Sequence, residues 1–167
     1  MQKASTSVQS VSDRLARVAL LIGGAALIAL ALVEAWQVFA RYVLNDSPGW
    51  TEPVALLLLN TAMSLGAAAA VQQRAHFGFV VLAHAAPLAL RRFLERFSLL
   101  VVASLGGVLA AGGVALLADG WSVAQAGTQL PQSVGYAPMS LAGALMAGFA
   151  LQQLIATFRT PAAPTVN

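Results

Sequence analysis

The sequence predicts an all-α membrane protein with four transmembrane helices and a short interfacial segment between the second and third. Three observations carry that prediction. Only 9% of the side chains are charged and 59% are hydrophobic, whereas a soluble domain carries roughly a quarter charged residues. Four apolar runs are each long enough to cross a bilayer as a helix. Finally, eight of the nine lysines and arginines fall on one side once those runs are threaded through the membrane, a strong positive-inside bias. A length of 167 residues suits one compact bundle, a single membrane domain over residues 1–167. The sequence pI near 10.2 does not signal nucleic-acid binding, because the bases are few and scattered. Without cysteine the chain has no disulfide framework, thiolate metal site or cysteine nucleophile.

The segment before the first span is polar and Ser-rich. Val8, Val11 and Leu15 fall at helical spacing, as for a segment lying on the membrane surface before turning in, and Ser10 with Asp13 fits a capping box. The first span is about residues 18–39, flanked by Arg17 and Arg41. Ala29-Leu30-Ala31 resembles a signal-peptidase site. The uncharged run from Val18 to Val33, however, exceeds a usual signal core, and Asp13 is atypical of a basic leader, so the run is read as a span. Asn45, Asp46, Pro48 and Gly49 then supply the residues of a tight reversal, and Trp50 suits the membrane–water boundary.

The second span is about residues 53–71; from Val54 to Val71 no side chain is ionisable. Arg74, His76 and His84 interrupt short apolar pieces after it, and His76–Ala86 is too short to cross, so it reads as interfacial. Pro87 can open a new helix, with Arg91, Arg92 and Arg96 over its first turns. The third span is about residues 97–117. Asp119 to Met139 forms the longest polar connection, and the fourth span is about residues 140–158, followed by Arg159 and a Pro-rich tail. This threading puts both termini in the cytoplasm.

Glu34 is the most informative single residue. It lies seven residues inside Arg41, so about 10 Å below the outer boundary, where a carboxylate is costly unless paired, protonated or facing protein. Asn60, eight residues past Glu52 on the antiparallel second helix, is at nearly the same depth. A proton or cation site is one reading. A lone carboxylate makes a poor relay, so the expectation is a hydrogen bond from Asn60 or Gln37 that fixes the hairpin. His76 and His84 share one short segment near the surface, whereas bis-histidine haem needs ligands from two facing helices; no cofactor or metal is expected.

Small residues recur every fourth position: Ala62, Gly66 and Ala70; Ala103, Gly107 and Ala111; Gly143 with Ala147; Ala144 with Gly148. Such rows let helix backbones approach closely. They occupy more faces than a closed bundle requires, which points to a partner subunit. No span pairs an acid with a base near its centre, none is broken at mid-depth by Gly-Pro, and no inverted repeat is visible. A secondary transporter usually has such features at its substrate site, so this chain by itself is expected neither to transport nor to catalyse.

Three places carry a family resemblance. Phe39-x-Arg41-Tyr42 leads through Asn45 to Trp50-Thr51-Glu52. Leu65-Gly66-Ala67-Ala68 is followed by Arg74-x-His76. Pro131 and Tyr136-x-Pro138 enter the last helix. In order and spacing these resemble the small four-helix membrane subunit of tripartite ATP-independent periplasmic (TRAP) transporters. Pro53 follows Glu52 where family members often carry a second acid, so two adjacent carboxylates are not present there.

The resemblance implies a non-catalytic subunit of the bacterial inner membrane. It would scaffold a large, roughly twelve-helix subunit that moves an organic acid inward with sodium after a periplasmic binding protein delivers it. Arg41, Trp50 and Glu52 are then expected at the outer end of the contact, Arg74 and His76 at the inner end, with Gly66 on a packing face. The small subunit of tripartite tricarboxylate transporters is a nearer rival that matches the Trp-x-Glu and His motifs less well. A membrane anchor of a redox complex and a small pore-forming oligomer are more distant rivals. Histidine spacing opposes the anchor, and the lack of a continuous polar helix face opposes the pore.

Overall fold

The computed structural model describes residues 2–73, 88–128 and 130–159. Four α-helices account for most of them: α1 Gln2–Tyr42, α2 Thr51–Gln72, α3 Leu88–Asp119 and α4 Ala137–Arg159, with a 3-10 turn at Gln132–Tyr136 before α4. Each holds a stretch long and apolar enough to cross a membrane, with mean hydropathy 2.4, 1.9, 2.3 and 1.5 in chain order. The segment expected to lie in the interface, His76–Ala86, falls outside the described residues.

α1 is one helix of 41 residues, roughly 60 Å long against a hydrocarbon core of about 30 Å. It passes through Ser10 and Asp13 without a break, so these residues do not cap a helix as expected. No proline or glycine lies between Gln2 and Ile22, so nothing breaks the helix where a surface segment and a turn were expected. α1 ends where Asn45 takes a positive φ of 51°, a conformation asparagine tolerates better than most residues, and the Asp46 amide donates to the Ala40 carbonyl at 3.1 Å. α2 then starts without a side-chain cap from Trp50. Instead the Thr51 hydroxyl donates to the Pro48 carbonyl at 2.8 Å. Glu52 in the first turn suits the positive helix end, and Pro53 loses no bond there because its position has no intrahelical acceptor.

The helices form an open row in the order α1–α2–α4–α3 rather than a closed bundle. α1 packs on α2, α2 on α4 and α4 on α3, while among the described residues α1 and α3 share no extended contact. In the most apolar window of each helix, 33% of α2 and 28% of α4 are buried, against 17% for α1 and for α3. Two helices are therefore central and two are edges.

Small residues make the seams. Most buried apolar residues are alanines, joined among the described residues by the larger side chains of Leu65, Val71, Leu99 and Phe149. Gly23 of α1 faces the backbone of Ala62 and Gly66. On α3 the packing glycines are Gly106 and Gly113; a Cβ on Gly106 would sit 2.7 Å from the Ala147 nitrogen, and one on Gly143 2.6 Å from the Ala110 nitrogen. Of the expected row Ala103–Gly107–Ala111, Ala103 packs against a buried cluster, but Ala111 is exposed and Gly107 faces open space. Ala19, Leu65, Ala68 and Ala142 form a cluster where α1, α2 and α4 meet. Nearer the termini, Ala16, Val71, Leu99, Phe149 and Ala150 bring together residues from all four helices.

Candidate partner-binding site

Two ends of the row carry its polar chemistry: the end with the α1–α2 turn and the α3–α4 connection, and the end with both termini. At the first, the connection after α3 folds back as a narrow loop. Gln132 donates to the Val123 carbonyl at 2.8 Å and Gln125 to the Leu130 carbonyl at 3.0 Å. Its Gly127, at φ +81°, presses on the α1–α2 turn; a Cβ there would collide with the Gly49 carbonyl. Both the conformation and the close approach require glycine at Gly127. This contact aligns the two connections and fixes the surface around Trp50.

Arg41 is exposed in the last turn of α1, Trp50 is exposed just before α2, and Glu52 is exposed in the first turn of α2. Tyr42 and Trp121 are exposed at the same end, as expected of amphipathic rings at a membrane boundary. Among the described residues Arg41 and Glu52 form no ion pair with each other. Glu52 instead lies at a groove of about 330 Å³ between α1 and α2, lined by Leu30, Glu34, Gln37, Ala55, Leu56 and Leu59.

Glu34 is exposed along this groove. The expected bond from Asn60 is not formed. Asn60 donates from Nδ2 to the Gly135 carbonyl at 2.6 Å, and its Oδ1 accepts from Ser64 at 2.9 Å. The physical reason is that α2 is shared. Asn60 faces α4, where the 3-10 turn offers a carbonyl, and Glu34 approaches α2 from the opposite side. Gln37 lines the groove without bonding to Glu34. Gly66 is half-buried at mid-helix, its backbone close to Gly23 and its own Cβ direction open. Arg74, His76 and His84 fall outside the described residues.

The end with the termini holds a polar cluster that motif reading missed. The Ser12 hydroxyl donates to Gln152 Oε1, Gln72 Nε2 to Asp13 Oδ1 at 2.9 Å, and Gln153 Nε2 to the Val71 carbonyl at 2.9 Å. Gln153 thereby supplies a donor to the C-terminus of α2, whose last carbonyls lack intrahelical partners. Arg96 of α3 lies over the Phe158 ring, 4.3 Å from its centroid, a cation–π contact. The available signal was the amide pair Gln152-Gln153 inside an otherwise apolar run. Among the described residues no three histidine, cysteine or carboxylate side chains converge as a metal site would require.

Chemically, the ends bind helices together and the groove offers an acid at the edge of the row; among the described residues neither presents a nucleophile beside a base. No curated protein gives a significant match to the chain. The family model for the DctQ component of tripartite ATP-independent periplasmic transporters matches residues 30–160, a range that takes in the second part of α1, the groove, the loop contact and the polar cluster around Gln153. The chain therefore belongs to the DctQ family, the small membrane component of TRAP transporters.

Proposed function

We propose that this chain is a non-catalytic scaffold for a large, about twelve-helix membrane subunit. In this reading that subunit imports an organic acid with sodium, and a periplasmic binding protein delivers the substrate. The family match carries the reading. The open row supports it, because α1 and α3 leave apolar faces uncovered that a closed bundle would bury. The bias of the bases supports an inner-membrane orientation with both termini cytoplasmic. The Trp50 end is then periplasmic and the Gln153 end cytoplasmic.

Arg41, Trp50 and Glu52 form the outer part of the proposed contact. Aromatic and arginine side chains anchor interfaces, and a charge at the membrane edge costs less to bury than one at mid-depth. Arg74 and His76 form the inner part, with Gly66 on a helix face that allows close approach. Replacing Trp50 and Glu52 together with alanine tests the reading. The chain should still insert, recovery of the large subunit and the uptake rate should fall together, and the binding protein's substrate affinity should not change. Full assembly with full uptake would remove the interface, and transport by this chain alone in liposomes would remove the scaffold role.

A further inference from the structure

Glu34 presents a physical problem that the isolated chain does not solve. It is exposed on a helix apolar enough to span a membrane, about 10 Å inside Arg41 at 1.5 Å per residue. It has no hydrogen bond or ion pair among the described residues. The amide expected to satisfy it is committed to Gly135 and Ser64. An ionised carboxylate facing hydrocarbon at that depth is unstable unless a protein group covers it.

We propose that the groove between α1 and α2 receives a lysine or arginine side chain from a transmembrane helix of the large subunit, paired with Glu34. This inference rests on the reading of the chain as that subunit's scaffold. The groove has the shape and the chemistry for such a side chain. Leu30, Leu56 and Leu59 give it an apolar wall, and Glu34, Gln37 and Glu52 give it acceptors. Lysine and arginine bury their aliphatic stems on apolar surface while the charged head reaches an acceptor. No base lines the groove, so its charge is uncompensated and complementary to a cation.

Depth favours a side chain over a lipid headgroup amine, which lies at the boundary near Trp50 and about two helical turns above Glu34. The mainly apolar lining disfavours a bare metal ion, which needs a shell of oxygen ligands. Glu52 at the mouth offers the incoming cation a second carboxylate.

The test uses the assembled complex. This chain, tagged, is co-expressed with its large subunit, with a photo-reactive amino acid at Leu56. Wild-type Glu34 should give an adduct on a large-subunit helix beside a lysine or arginine. Glu34→Gln should lower recovery of the large subunit, and Glu34→Lys should lower it by about tenfold or more, as loss of one partner of a desolvated pair does. Exchanging the charges, Glu34→Lys with the cross-linked base changed to glutamate, should restore it. The thermal stability of the isolated chain should be the same in all Glu34 variants, which separates partner loss from misfolding. Adducts with lipid only, adducts on a large-subunit segment without a base, or full recovery with Glu34→Lys would each overturn the pairing while leaving the scaffold reading intact. A wild-type chain that captures no large subunit would overturn both.

Discussion

Gln153 reaches from α4 to the end of α2, donating from Nε2 to the Val71 carbonyl at 2.9 Å and, at 3.5 Å, to that of Gln72. One amide thus closes the last turn of a helix more than eighty residues earlier in the chain. It also ties the two central helices at one end, while Asn60 and Gly135 tie them nearer the other.

Loss of that donor should be felt directly. Gln153→Leu is expected to destabilise the chain by about 0.5–1.5 kcal/mol, the net worth of one intramolecular hydrogen bond, because a backbone amide at the end of α2 also reaches the Val71 carbonyl. Gln153→Glu should cost more, because it also brings a negative charge to the negative end of α2. Thermal unfolding in detergent micelles measures both, and a leucine variant that melts with the wild type would show that water replaces the amide.

Asn60 and Glu34 should behave oppositely in the isolated chain. Asn60→Leu breaks two observed bonds and should cost about 1–2 kcal/mol. Glu34→Gln breaks none and should stay within about 0.5 kcal/mol of the wild type. Equal destabilisation by the two would mean that Glu34 has an intrachain partner after all.

Neighbouring glycines on α3 should differ in sign. Gly106→Ala forces a methyl group against the backbone of α4 and should cost about 1–3 kcal/mol. Gly107→Ala meets nothing within 4 Å and should be neutral or stabilising by about 0.5–1 kcal/mol. The same unfolding measurement in micelles ranks them; destabilisation by both would mean that α3 is rotated.

Orientation is testable because the chain has no native cysteine. Single cysteines at Ser47 and Thr128 should react with an impermeant thiol reagent in intact cells, and one at Ser5 should not. Reaction at Ser5 would mean an inverted chain.

The helices were legible because a bilayer demands long apolar runs, and the α1–α2 turn because Asn45 and Gly49 are turn residues. Which face of each helix looks inward was not legible. Lipid is as apolar as leucine, so hydropathy does not distinguish Gly106 in a seam from Gly107 on an open face. The partners of Asn60 and Gln153 were hidden for a second reason. Both bond to backbone carbonyls, and every residue has one, so no residue type at Gly135 or Val71 advertises the contact. Glu34 stood out as an anomaly, and its depth was readable. That Asn60 turns toward α4 required knowing that α4, and not α3, is the neighbour of α2.

The order α1–α2–α4–α3 also bears on how the chain is made. The first two helices can pair as soon as they leave the ribosome, but the third emerges with nothing to lean on. Its neighbour is the fourth, which enters after it and fills the middle of the row. A premature stop ahead of α4 would therefore remove the centre rather than trim an edge, leaving α3 without its main partner. Quality control of this protein should accordingly depend on completion of α4.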